Sequence, residues 1–245
     1  KMKPVKIGVL GLGTVGCGSV TVLTRNAEEI ARRAGRKIEV SMAAVRDLDR
    51  APICNTEGIR LTNDPFEVAN DPEVEIVLEL MGGTELAREV VLQAIAEGKH
   101  IVTANKALIA IHGNELFSKA HEMGVMVAFE AAVAGGIPII KAMREGLAAN
   151  QINWLAGIIN GTGNFILTEM KERGRSFENV LTEAQELGYA EADPSFDVEG
   201  TDAAHKLTIL ASIAFGIPLQ FEKAMTEGIT KITTQDVSYA EELGY

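Results

Sequence analysis

The chain has 245 residues, 47% hydrophobic and 23% charged, with a formal net charge of −11. That length buries a substantial core in one large or two smaller domains, and the composition is that of a soluble globular protein. The acidic balance argues against a nucleic-acid-binding surface, although a pocket for a small anion can still be locally positive. In chain order, VKIGVL reads as a buried strand ended by glycines, and Ser19 to Ala34 as a helix with Val20, Leu23, Ala27, Ile30 and Ala31 at helical spacing. IEVSMAAV predicts a second strand. VEIVLEL (Val74 to Leu80) predicts another, nearly continuous in apolar residues as a parallel sheet requires. A helix over Glu85 to Glu97, the strand in HIVTANK, a helix over Glu115 to Met123 and a strand in VMVAFEAAV continue the alternation.

Strands alternating with helices predict an α/β fold, a Rossmann-type doubly wound parallel sheet. The rhythm changes at AAVAGGIP. Beyond it come a helix over Ile139 to Leu147, a strand in INWLAGIIN, and helices over Phe165–Glu172, Phe177–Leu187 and Thr201–Phe215. The boundary is expected near Ala134, giving a dinucleotide-binding domain over 1–134 and a second, α+β domain over 135–245. That second domain would bind substrate and form a dimer. The exposed apolar strand INWLAGIIN motivates the homodimer.

The two cysteines, Cys17 and Cys54, form neither a disulfide framework nor a zinc pattern, and the histidines (100, 112, 121 and 205) show no H-x-x-x-H spacing. No apolar run reaches the ~18 residues of a membrane span. KMKPVKIGVL leads into a strand and not into a signal-peptide pattern, so the cytoplasm is the default expectation, with no membrane and no nucleic-acid partner.

GLGTVG is a G-x-G-x-x-G turn at Gly11, Gly13 and Gly16, between a strand and a helix, the context that gives this motif meaning. Gly11 allows the tight turn, Gly13 a close approach of pyrophosphate, and Gly16 close helix–strand packing. Leu12, Thr14 and Val15 complete the cofactor-binding turn at the helix N-terminus, where free N–H groups favour an anion. The bland alternative is a tight turn with no ligand. The second strand ends AAVRDLDR. Arg46 there can pair with a 2′-phosphate, which points to NADP, while Asp47 could take a 2′-hydroxyl, which keeps NAD open. An ordinary solvated arginine is the bland reading of Arg46.

GYAEADPSFDVEGTDAAHK (188–206) concentrates Glu191, Asp193, Asp197, Glu199 and Asp202 before Lys206. No calcium-loop spacing is present, so the bland reading is a solvated acidic loop. The helix that follows has no charged residue from Leu207 to Phe215 and is expected to be buried all round. Asp202 and Lys206 stand at i and i+4 in its first turn, on one face. On a surface such a pair contributes little, whereas at the mouth of a buried helix it faces a cleft. The helix dipole favours Asp202 and opposes a cation at Lys206, which suits the lysine to passing a proton, with Asp202 orienting it. Lys106 in TANK follows the carboxyl end of a strand, the edge where ligands collect in doubly wound sheets. Together these features suggest hydride transfer to a carbonyl on a substrate whose ammonium pairs with a carboxylate such as Glu191.

The sequence resembles homoserine dehydrogenase along essentially its whole length. The resemblance rests on GLGTVG, VTANK, EAAVAGGIPII, GIINGTGNFIL and above all GYAEADPSFDVEGTDAAHK. It implies NAD(P)-dependent interconversion of aspartate 4-semialdehyde and homoserine, on the route to threonine, methionine and isoleucine. By the same resemblance, Lys206 is the proton donor and Lys106 a second active-site lysine near cofactor and substrate. Glu191 and Asp202 are substrate ligands, Asp197 sits in the same pocket, and Gly188 is a cofactor contact. The resemblance also implies a sodium ion on the backbone carbonyls of Glu130, Val133, Gly135 and Ile137. Members of the family continue past the substrate domain, while this chain begins at Lys1 and ends at SYAEELGY, so a fragment is expected. Two rival readings are another NAD(P)-dependent amino-acid dehydrogenase and an NADP-sensing protein without turnover. Neither needs the acidic motif together with Lys206.

Overall fold

The computed structural model describes residues 2–245, which divide into two compact units split between residues 148 and 149. The first unit is built on six strands: β1 (Val5–Leu10), β2 (Ile38–Ala44), β3 (Arg60–Thr62), β4 (Ile76–Glu79), β5 (His100–Thr103) and β6 (Val127–Ala128). Their order in the sheet is β3-β2-β1-β4-β5-β6, and every pairing is parallel. The strand order therefore reverses at β1, which lies between β2 and β4. This is the switch point at which doubly wound sheets bind their ligands. The crossovers are α1 (Thr14–Arg25), α2 (Ala27–Ala34), α3 (Pro65–Asn70), α4 (Glu85–Ala96) and α5 (Lys106–Met123).

Apolar strands make the core. Ile7, Val9, Val20, Ala43 and Leu78 form one buried cluster, and α4 covers another part of the sheet with Ala87, Val90, Val91, Ala94 and Ile95. Lys99, at the edge where β5 begins, is buried and donates to the carbonyls of Asp71 (2.6 Å) and Val74 (3.0 Å). Burial pushes its pKa down, opposed by the nearby Asp71 and Glu97 carboxylates. Cys17 and Cys54 are free thiols in contact. Burial, and then the Cys17 thiol, push Cys54 up to about 11.

Several elements differ from the sequence expectation. The helix expected over Ser19 to Ala34 is two helices broken at Asn26, whose ψ of 20° leaves the helical range. The helix expected from Glu115 begins nine residues earlier, at Lys106, because the Asn105 side chain caps it by accepting from the Leu108 N–H at 3.0 Å. The strand expected in VMVAFEAAV shrinks to Val127–Ala128, and the chain turns at once into a 3₁₀ turn over Glu130–Ala132. The helix expected over Ile139–Leu147 starts as α6 (Ile139–Lys141) and widens into a π turn over Ala142–Gly146. The Glu130 carboxylate caps its start, accepting from the N–H groups of Ile140 and Lys141, both at 2.9 Å.

The second unit holds α7 (Gly161–Arg173), α8 (Phe177–Glu186), α9 (Ser195–Val198), α10 (Thr201–Phe215) and α11 (Thr234–Glu242). Ile166, Met170, Phe177, Val180 and Val198 form its core, with Ile229, Ile232 and Val237 packed on it. The strand expected in INWLAGIIN is not formed. Residues 151–159 have no ladder partner among the described residues, and a strand exists only by pairing its backbone with a neighbour. Trp154 and Ile158 are exposed there. α10 spans the expected Thr201–Phe215 but is not buried all round. It packs on α9 and on the 3₁₀ turn over Phe221–Lys223, so its stripe of Asp202, His205, Thr208 and Ile209 is covered while Leu207 and Phe215 stay exposed.

Candidate functional sites

In the first unit a cleft of about 810 Å³ opens at the carboxyl ends of the strands, on the switch point. Residues 11–14, 44–47, 50–53 and 80–83 line it. The three glycines of the first turn have distinct physical reasons. Gly11 has φ +95°, and a Cβ there would lie 2.8 Å from the carbonyl oxygen of Leu80. A Cβ on Gly16 would fall 1.9 Å from the Gly11 carbonyl oxygen, so Gly16 is required by the turn's own packing. Gly13 lines the cleft, yet a Cβ there would meet nothing within 4 Å. The protein itself therefore imposes no need for glycine at position 13, whereas a close-lying pyrophosphate would. Gly13 is also the N-cap of α1, whose first N–H groups are free of intrahelical partners. The arrangement fits a dinucleotide.

The other residues singled out in this unit fall as follows. Leu12 and Thr14 line the cleft, while Val15 is exposed on α1 and does not line it. Arg46 lies on the cleft just past β2 and forms no ion pair among the described residues. Asp47 Oδ1 is engaged in its own turn, accepting from the Asp49 N–H at 2.9 Å. Arg50, which sequence reasoning passed over, lines the same cleft. Its only signal was a second arginine four residues after the first. Lys106 is the first residue of α5, immediately after the β5 edge. Glu130, Val133, Gly135 and Ile137 lie along the turn that follows β6. There the carbonyl of Glu130 accepts from the Val133 N–H (3.4 Å), and that of Ile137 from the Ile139 N–H (2.8 Å). Ala134 between them has φ +50°.

The second unit brings Asp197, Asp202 and Lys206 together at a pocket of about 570 Å³. Lys206 Nζ donates to Asp202 Oδ2 and to the carbonyl of Ile159, both at 2.6 Å. Both side chains are largely buried, at 17% and 6% exposure, so the ion pair is not a solvated surface pair. Asn160 ties the pocket to three elements. Its Oδ1 caps α7, accepting from the Gly163 N–H at 2.7 Å. Its Nδ2 donates to Asp197 Oδ1 (2.8 Å) and Asp202 Oδ2 (2.9 Å), on α9 and α10. Thr162 Oγ1 lies 2.8 Å from the Tyr189 carbonyl and 2.9 Å from Asp197 Oδ2, two acceptors for one hydroxyl proton.

Asn160 and Thr162 were missed by sequence reasoning, which began α7 at Phe165. An asparagine before a helix is an N-cap signal, and NGTGN carried it. Glu191 is exposed and does not line the pocket. Its backbone carbonyl accepts from Gln185 Nε2 at 3.1 Å. Gly188, with φ +76°, ends the turn after α8, next to Tyr189 on the pocket wall. Asp193 shapes its own turn, accepting from the N–H (3.1 Å) and hydroxyl (2.5 Å) of Ser195, which hold its carboxyl below the usual range. Among the described residues, no group of three His, Cys, Asp or Glu side chains is arranged to hold a metal.

Two family models match the chain: "Homoserine dehydrogenase, NAD binding domain" over residues 11–130 and "Homoserine dehydrogenase" over residues 138–245. A homoserine dehydrogenase of Pseudomonas aeruginosa is 70% identical across 100% of this chain and 56% of its own length. The crystal structure of a homoserine dehydrogenase from Thiobacillus denitrificans is 68% identical, with a TM-score of 0.95, over 99% of this chain and 56% of that one. A hyperthermophilic archaeal homoserine dehydrogenase solved in complex with NADPH is 26% identical, with a TM-score of 0.78, over 95% of this chain and 76% of that one. The chain thus spans a little over half the length of these two bacterial relatives.

Proposed function

Because this chain belongs to the homoserine dehydrogenase family, we propose that its full-length protein interconverts L-aspartate 4-semialdehyde and L-homoserine, in the biosynthesis of threonine, methionine and isoleucine, as a cytoplasmic enzyme. The observation that carries this reading is the buried Asp202–Lys206 pair at the mouth of the second unit's pocket. Bound NADPH supplies the hydride. Reduction leaves negative charge on the aldehyde oxygen, and the Lys206 ammonium can both stabilise that charge and deliver the proton. Asp202, sharing Oδ2 with Lys206, keeps the ammonium in one orientation and is itself a substrate ligand. Asp197 lies in the same pocket, and Glu191, which the family resemblance assigns to the substrate's amino group, stands outside that pocket's lining. Lys106, at the start of α5, is by the family resemblance a second active-site lysine. The same reading takes residues 1–134 as the dinucleotide-binding domain and 135–245 as the substrate-binding one.

NADP is the favoured cofactor in this reading. Arg46 and Arg50 on the adenosine side of the cleft support it, as does NADPH in the archaeal relative. Gly11, Leu12, Gly13, Thr14, Val15 and Gly16 form the turn around the pyrophosphate, with Lys106 and Gly188 as further contacts. A sodium ion belongs to the same reading, on the carbonyls of Glu130, Val133, Gly135 and Ile137. Two of these already accept one hydrogen bond each and keep a second lone pair. Replacing sodium by a bulky tetraalkylammonium ion should then lower activity, and unchanged activity would count against the site. A homodimer through residues 151–159 would cover the exposed Trp154 and Ile158, and sedimentation showing a monomer at micromolar concentration would remove it.

The function is tested on the full-length protein by following NADPH loss with aspartate semialdehyde and identifying homoserine as product. No turnover there would overturn it. Lys206→Ala should lower kcat by roughly 10²–10⁴ with NADPH affinity nearly intact. Survival of kcat within about threefold would transfer the proton to another donor. Arg46→Ala should weaken NADPH binding about ten- to a hundredfold, one charge-assisted contact of roughly 1.5–3 kcal/mol, and leave NADH binding nearly unchanged. Equal losses for both cofactors would rule out the 2′-phosphate role.

A further inference from the structure

Glu79 ends β4 and is completely buried, yet the function just described gives it no task. It stands in register with Leu10 of β1 and Thr103 of β5, in the middle of the sheet's carboxyl edge. Among the described residues no cation pairs with it. Neutral donors satisfy both of its oxygens. Oε2 accepts from the Thr103 hydroxyl at 2.6 Å, and Oε1 from the N–H groups of Met81 (3.2 Å) and Gly82 (3.3 Å). Burying a carboxylate in a sheet core is costly, and an apolar residue there would serve stability as well or better. The arrangement therefore calls for a reason other than stability.

The hydrogen bonds lead on from Glu79 and close on themselves. Thr103, also buried, accepts through the same hydroxyl oxygen from the Asn105 N–H at 2.9 Å. Asn105 Oδ1 caps α5, and its Nδ2 donates to the carbonyl of Gly83 at 2.6 Å. Gly83 belongs to the loop whose Met81 and Gly82 N–H groups bind Glu79. The ring thus fastens two segments to each other. One is the 81–83 loop, which lines the dinucleotide cleft and runs through left-handed backbone at Gly82 (φ +72°) and Gly83 (φ +74°). The other is the first turn of α5, which carries Lys106. Both lie on the β4–β5 side of the switch point, away from Arg46. In a doubly wound sheet that side belongs to the second mononucleotide, here the nicotinamide half.

We propose that Glu79 is a positioning residue for hydride transfer: through Thr103 and Asn105 its carboxylate holds the 81–83 loop and the start of α5 in the one arrangement that seats the nicotinamide ring for reaction. This rests on the dehydrogenase reading above. Hydride transfer is sensitive to displacements of about an ångström, and two consecutive left-handed glycines would otherwise leave the loop loose. Glu79 touches neither substrate nor reacting atoms and acts through the backbone it holds.

The test uses the full-length protein with Glu79→Gln, Thr103→Val, Thr103→Ser and Asn105→Asp. Asn105→Asp keeps a cap acceptor for α5 but loses the donor to Gly83. The Gln, Val and Asp variants should lower kcat per folded site roughly 10–100-fold, with KM for aspartate semialdehyde and Kd for NADPH within about threefold. Thr103→Ser, which retains the hydroxyl, should return most of the lost rate. A second readout needs no turnover. The fluorescence anisotropy of saturating NADPH should fall in Thr103→Val and stay high in Thr103→Ser, so failure of the dehydrogenase reading in the wild type does not hide the outcome. If Glu79→Gln does not fold, the Thr103 pair and Asn105→Asp decide. The proposal is overturned if Thr103→Val keeps both kcat and anisotropy, or if Thr103→Ser loses as much as Thr103→Val, which would make the site one of packing alone.

Discussion

A single oxygen of Asp202 accepts from both the Lys206 ammonium and the Asn160 amide, where both charged side chains are largely buried. A buried pair of this kind is weak evidence for stability, because desolvation offsets much of its Coulomb gain. Removing one partner, by contrast, leaves an uncompensated charge and costs about 3–5 kcal/mol. The pair is therefore held in place by its surroundings. Asn160 connects it to the N-terminus of α7, and Asp197 connects it to α9. The second unit's pocket is the place where three helices start or meet around this one carboxylate, and its shape follows from that requirement.

The first unit solves a different problem. A parallel sheet brings the carboxyl ends of all its strands to one edge, and the reversal of order at β1 opens a crevice there. Backbone turns line the crevice: the glycine turn that leads into α1 on one side of the switch point, the loop at 81–83 on the other. The two sides differ in what fixes them. The glycine turn is fixed by sterics, since a Cβ on Gly11 or Gly16 collides with a neighbouring carbonyl. The 81–83 loop is fixed by polar side chains from the strand ends, Glu79 and Thr103, and by Asn105.

The sequence made the sheet and the glycine turn readable because both write a local pattern. Val5–Leu10 and Ile76–Glu79 are apolar runs, and Gly11, Gly13 and Gly16 mark a turn between a strand and a helix. Thr201–Phe215 was readable for a similar reason, a run without charge from Leu207 to Phe215 that ends at Gly216. What failed depended on contacts far along the chain. Residues 151–159 have the composition of a strand, but pairing needs a neighbour that apolar residues do not specify. Leu207 and Phe215 look like core from composition, and only the absence of a covering element among the described residues leaves them exposed. Asn160 carried a helix-cap signal, but its long reach, like that of Glu79, was invisible for the same reason. Asn160 reaches Asp197 and Asp202, 37 and 42 residues away, and Glu79 reaches Thr103, 24 residues away. The lysines were legible from spacing and from their place after a strand or in a first helical turn. Much of the readable detail at 188–206 came from the resemblance of the whole motif, not from charge alone.

The central claim is that Asp202 acts on the chemistry by ordering Lys206. The direct measurement is kcat for aspartate semialdehyde reduction in the full-length protein carrying Asp202→Asn, Lys206→Ala and both together. If Asp202 works through Lys206, the double variant should be no slower than Lys206→Ala alone, within about threefold. If the two losses multiply instead, each group acts on its own and the shared-carboxylate mechanism is wrong.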